Sequence, residues 1–181
     1  MHLLIALMLS FSLLAGFHNA AQAGGTATKE LIVNGNFTQG MSGWYPGGNG
    51  APTAVTTGNP NIKFCGINNC WQHFSQNVFI PANALSAHFS FYVKMNTTEV
   101  TSTKIYDVFY PTLDGWEPRS MEVSNLSKPV VAGTWTKKDY DLDILAYKGK
   151  YLSIGFQGIS DYSLPTTFNL DSVSLQVVVP A

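Results

Sequence analysis

The sequence predicts an all-β protein of the sandwich or barrel type, on three observations. Charged side chains make up only 12% of the 181 residues, about half the roughly 25% of an average soluble domain. Aromatic residues supply 13%, while 16 glycines and 9 prolines divide the chain into short pieces. Between those breaks apolar residues alternate with period two, and no stretch carries the 3.6-residue spacing of a long helix.

The chain opens with MHLLIALMLSFSLLAGFHNAAQA and has no Lys, Arg, Asp or Glu before Lys29. The apolar stretch 3–17 has the length of a signal-peptide core and is too short to span a bilayer. Ala21-Gln22-Ala23 then forms a small-x-small cleavage site. Residues 1–23 therefore read as a signal peptide, although the segment before the apolar core lacks Lys and Arg; an uncleaved anchor is the alternative. Residues 24–29 read as a short linker and 30–179 as one domain, exported to the periplasm or beyond the cell. No later run is apolar enough for a second membrane segment.

Within the domain, strands are expected at 30–33, 62–64, 72–80, 88–95, 104–111, 120–123, 135–142, 151–156 and 168–178. Turn chemistry falls at 46–50, 81–84, 114–115 and 148–149. The stretch 88–95 shows the pattern best: Phe89, Phe91, Val93 and Met95 share one face, His88, Ser90, Tyr92 and Lys94 the other. Leu152, Ile154 and Phe156 repeat the rhythm. Phe168 and Leu170 do too, with Val173, Leu175 and Val177 following after a phase change near Asp171.

Cys65 and Cys70 enclose Gly-Ile-Asn-Asn, a loop short enough to bring their Cα atoms within bridging distance. An oxidising compartment favours a disulfide; a metal site, with His73 as a further ligand, is the weaker alternative. A formal net charge of −1 gives no electrostatic basis for binding nucleic acid or an anionic membrane. No H-E-x-x-H, G-x-S-x-G or phosphate-loop motif appears. Asp139, Asp141 and Asp143 alternate along one expected strand and read as a solvated face, against the alternative of a glycosidase carboxylate pair. His73 and His88 lack an evident nucleophile or acidic partner, so the chain reads as non-catalytic.

Two ends of the chain carry a family resemblance. Leu31-Ile32-Val33-Asn34-Gly35-Asn36-Phe37-Thr38-Gln39-Gly40 with Trp44 resembles the opening of galactose-binding-like jelly-roll domains, among them the carbohydrate-binding modules of secreted glycosidases. Trp135, Tyr140-Asp141-Leu142, Tyr147-Lys148-Gly149-Lys150, Phe156 and the run from Thr166 to Leu175 resemble the close of the same sandwich. That half is most similar to domains appended to secreted bacterial proteases, and the Ser124-Asn125-Leu126 triplet and Asp161 fit that version. The resemblance implies a single jelly-roll β-sandwich with Trp44 and Trp135 in its packing. It also implies a structural calcium near Asp171, with Asn36 and Thr38 where the family commonly has acidic residues; the lower charge weakens such a site. Asn34-Gly35 reads as a tight turn in which Gly takes positive φ.

Aromatic side chains are the remaining functional lead, because flat rings flanked by hydrogen-bonding groups suit the C–H face and hydroxyl rim of a sugar. Trp116 lies in a turn. Tyr106 and Tyr110 are expected on one face of the strand 104–111, about 13 Å apart at ~3.3 Å per residue. Tyr106, Tyr110 and Trp116 are thus the candidate ligand-binding residues. Trp71 and Tyr162 lie in or beside expected loops. The expected partner is a carbohydrate; an extracellular protein, bound by an envelope or matrix component, is the alternative.

Overall fold

The computed structural model describes residues 24–99, 103–115, 117, 119–126 and 133–181. The expected signal peptide 1–23 and the candidate Trp116 lie outside the described residues. Among the described residues eleven strands run as β1 Thr26–Glu30, β2 Tyr45–Gly48, β3 Thr53–Val55, β4 Asn61–Cys65, β5 Cys70–Phe79, β6 Ser86–Asn96, β7 Val108–Leu113, β8 Val123–Ser124, β9 Thr136–Leu142, β10 Tyr151–Ser160 and β11 Thr167–Pro180. They form two antiparallel sheets. One is ordered β3-β4-β11-β6-β9, with β1 along the far end of β11; the other is ordered β2-β5-β10-β7-β8. The expected all-β jelly-roll sandwich is the fold.

The core is the inward half of each alternation. Phe89, Phe91, Val93 and Met95 of β6 face Leu152, Ile154 and Phe156 of β10, all buried. Phe109 stacks on Phe156 at 5.6 Å between ring centroids and lies 5.6 Å from Phe168. Trp44 lies flat on Phe74 at 4.8 Å, its indole N–H donating to the Val33 carbonyl at 3.2 Å. Fully burying such a ring removes about 1.5–3 kcal/mol of exposed apolar surface cost. Two inward glutamines of β5 pin neighbouring loops. Gln76 bonds both the N–H and the carbonyl of Val33, and Gln72 accepts from Cys65 N–H while donating to the Ala51 carbonyl.

The phase change near Asp171 is a β-bulge: the β11–β6 register shifts between Asp171 and Ser174, and Ser172 takes φ +51°. Gly35 packs against that bulge, where a Cβ would lie 1.9 Å from the Val173 carbonyl oxygen. Asn34, not Gly35, takes the left-handed conformation, at φ +54°. Glycine is required here for close approach rather than for its dihedral angle.

Several boundaries differ from the sequence reading. Residues 26–30, within or next to the expected linker, form β1, and 31–33 leave the sheet. The stretch 46–50, expected as a turn, lies largely in β2, which pairs with β5. Pro46 is tolerated because β2 is an edge strand. Its glycines make room: a Cβ on Gly47 would meet the His73 ring at 2.2 Å, and one on Gly48 the Trp71 carbonyl at 2.1 Å. Strand β7 begins only at Val108, and 119–121 form a 3₁₀ turn before the short β8. Trp135 is half-buried, with the Lys94 ammonium 4.9 Å above its ring.

Candidate functional site

The outward half of the β5 alternation carries Trp71, His73, Ser75, Asn77 and Phe79. The register sets these beside Ile159, Gln157, Gly155, Ser153 and Tyr151 of β10. On one flank β10 is followed by Val108, Tyr110 and Thr112 of β7, and on the other β2 brings Tyr45 beside Ser75. One sheet face therefore presents four exposed rings: Tyr45, Trp71, Phe79 and Tyr151. Trp71 and Phe79 mark its ends, eight residues apart, or about 26 Å at ~3.3 Å per residue.

Between these rings lies a hydrogen-bonding network. The amide oxygen of Gln157 accepts from the Trp71 indole N–H at 3.2 Å and from the Tyr110 hydroxyl at 3.1 Å. Glu117 Oε1 also lies 3.1 Å from that hydroxyl. The His73 ring stands 5.5 Å from Trp71, and Phe79 meets Tyr151 edge-on at 5.3 Å. Gly155 keeps the middle of the face low, since a Cβ there would lie 2.6 Å from the Thr112 hydroxyl. Flat apolar platforms with amide, imidazole, carboxylate and hydroxyl groups between them can stack on sugar rings while bonding their hydroxyls.

Local structure fixes Trp71 in place. The Cys65–Cys70 disulfide, with Cα atoms 5.6 Å apart, closes the loop immediately before it. Asn49 brackets its backbone, accepting from Trp71 N–H through its side chain at 2.7 Å and donating its own N–H to the Trp71 carbonyl at 2.8 Å.

Of the three sequence-derived candidates, Tyr110 and Tyr106 are described, and they fall in different places. Tyr110 lies on this face, but only 3% of it is exposed, so it offers its hydroxyl to the network rather than its ring as a platform. Tyr106 precedes β7 and is not on the same strand; its N–H donates to Asn125 Oδ1 at 3.0 Å. Trp116 lies outside the described residues. Trp71, placed in or beside a loop from sequence, is the second residue of β5 and donates its indole N–H to Gln157 at the centre of the network. Tyr45, Phe79, Tyr151 and Gln157 were missed. The signal for Phe79 was present in the alternation of β5 read from Cys70, whereas Tyr45 was hidden by the Pro-Gly-Gly that follows it.

The calcium ligands implied by the resemblance are engaged otherwise. Asp171 accepts from Asn59 Nδ2 at 2.9 Å and from Ser172 N–H at 2.6 Å. Asn36 Oδ1 takes the Thr38 hydroxyl at 3.1 Å. The carboxylate lining the hollow beside Asn36 is Glu30, which accepts from the N–H groups of Ile32 and Leu175. Each of these oxygens accepts an N–H or O–H donor in the structure, and a cation there would have to displace those donors. A separate hollow of about 330 Å³ between Leu113, Met121, Tyr140, Leu142 and Tyr147 is mainly apolar. Its Tyr140 hydroxyl is turned to the Ser120 carbonyl.

No protein-family model and no curated protein matches the chain. Its fold does match solved structures. A family 61 carbohydrate-binding module in complex with β-1,4-galactotriose is 14% identical, with 84% of this chain and 99% of that one covered and a TM-score of 0.55. One of the carbohydrate-binding modules from the β-sandwich superfamily, described for promiscuous specificity, is 14% identical over 77% of this chain and 60% of that one, at a TM-score of 0.52. The K3 cleaved adhesin domain of Lys-gingipain from Porphyromonas gingivalis is 16% identical over 81% of this chain and 98% of that one, at a TM-score of 0.50. The chain thus has the fold of carbohydrate-binding modules and gingipain adhesin domains, as the resemblance implied.

Proposed function

We propose that this protein is an exported, non-catalytic carbohydrate-binding module whose ligand lies on the outer face of the five-stranded sheet. The observation that carries the reading is the row of exposed rings, Tyr45, Trp71, Phe79 and Tyr151, on either side of the Gln157 network. Packing leaves these rings outward, so ligand contact is their remaining use. The named positions of this face include no Lys or Arg, and the chain's net charge is −1; a neutral glycan suits it better than a polyanion does. Export rests on the expected signal peptide at 1–23 and is supported by the disulfide.

A second reading, attachment to an extracellular protein, is favoured by the match to an adhesin domain. The two separate on a glycan array probed with the mature protein and its Trp71→Ala variant. Glycan binding that falls at least tenfold in the variant, with an unchanged melting midpoint, supports the first reading. Wild-type protein that binds no glycan moves the preference to the second.

A further inference from the structure

Away from the aromatic face, three carboxylates gather where the loops at the ends of β6, β7 and β10 meet. Asp107 is wholly buried and Glu99 is 5% exposed. One oxygen of Asp107 accepts the N–H of Asp161 at 2.8 Å, tying the start of β7 to the end of β10. Its other oxygen, Oδ2, has no partner, nor has Oε2 of Glu99. Glu99 is linked to the same corner through its own N–H to the Thr97 hydroxyl, which accepts from Thr166 at 2.7 Å. Asn125 holds the intervening chain, bonding the Lys104 carbonyl and the N–H groups of Tyr106 and Asp107.

An unpaired buried carboxylate oxygen costs several kcal/mol of lost hydration, and this corner holds two. Protonation relieves one of them: burial first, then the charges of Asp107 and Asp161, raises the Glu99 carboxyl above its ordinary value. A cation relieves both. The oxygens on offer are hard, no sulfur or imidazole takes part in these bonds, and neutral hydroxyl and carbonyl oxygens lie in the same network, which is the donor chemistry of calcium. Among the described residues no three His, Cys, Asp or Glu side chains form a ready cage. Two carboxylates must therefore be completed by neutral oxygens and water.

We infer that Glu99 and Asp107 bind a calcium ion that fastens the β6–β7 region to the end of β10, at a place distinct from Asp171. The negative charge of Asp161 reinforces the attraction without direct ligation. The ion stabilises the fold and has no part in the aromatic face, so the inference stands apart from the carbohydrate reading.

Protein stripped with EDTA and titrated with calcium chloride tests this, by melting midpoint and by calorimetry. Calcium raises the midpoint of the wild type, as any ligand specific for the native state does. Glu99→Gln and Asp107→Asn each weaken calcium binding at least tenfold, whereas Asp171→Asn leaves it unchanged. Glu99→Gln in EDTA melts no lower than the wild type, because it removes a buried charge while keeping the side-chain shape, and so remains an interpretable variant. A wild type whose midpoint ignores calcium, or a response lost in Asp171→Asn and kept in the other two, overturns the proposal.

Discussion

The two sheets of the sandwich turn very different faces to solvent. Outward positions of the five-stranded sheet carry Trp71, Phe79, Tyr151 and Tyr45, joined by Gln157 and Tyr110. Outward positions of the six-stranded sheet carry His88, Ser90, Tyr92 and Lys94 on β6, beside Asp141, Asp139 and Lys137 on β9. There His88 meets Asp141 at 2.8 Å and Lys137 meets Asp139 at 3.1 Å, with Tyr92 the exposed ring. Both faces satisfy the same requirement, that the inner half of each alternation be apolar. Folding places no demand for rings on the outer half. Where one outer face is aromatic and the other is charged, the aromatic one is the proposed binding face.

That contrast can be broken most directly by paired truncations. Trp71→Ala is expected to cost at least about 1.4 kcal/mol in glycan affinity, the tenfold loss of a central aromatic contact, while Tyr92→Ala on the opposite face leaves affinity unchanged. Equal losses in titrations of the two variants would remove the distinction between the faces. The disulfide comes next. Cys65→Ser with Cys70→Ser is expected to lower stability in urea denaturation by about 2 kcal/mol, the scale for a short loop, and to weaken glycan binding because Trp71 follows directly on Cys70.

The acidic corner gives a pH signature. The Glu99 carboxyl is raised in the folded state by burial and by Asp107 and Asp161, so the native state holds its proton more tightly than the unfolded chain does. Its stabilising contribution is full below its ordinary value near 4.5 and is lost as pH rises through the folded-state value. Melting in EDTA across that window should therefore show this component in the wild type and its loss in Glu99→Gln. The smallest effect is expected on the charged face. His88→Ala or Asp141→Ala should change stability by less than about 1 kcal/mol, as for exposed ion pairs, and should leave glycan binding untouched. A large loss in either variant would show that the six-stranded face is more than a solvated surface.

Much of the framework was legible from the chain alone. The alternation of Phe89, Phe91, Val93 and Met95 located β6 and its inward face, the phase change near Asp171 marked the β11 bulge, and the spacing of Cys65 and Cys70 gave their bridge. Each of these is local: a period of two is set by the pleat of a single strand, and a short loop limits where its ends can go. Errors arose where local chemistry was overruled. Tyr45-Pro46-Gly47-Gly48 has turn composition, yet it lies along β5 because an edge position accepts proline and the crowding of His73 and Trp71 requires glycine.

The sequence by itself determined the all-β class, the buried half of most strands and the covalent link. Only the tertiary structure decided which aromatics share a surface. Trp71 bonds Gln157 across 86 residues of sequence, and Tyr151 meets Phe79 because β10 runs antiparallel to β5. Strand order brings these residues together, and strand order follows from how the whole set of apolar faces closes into two layers. Tyr110 shows the same limit from the other side: its place on a strand could be read from the chain, but its burial was set by neighbours distant in sequence.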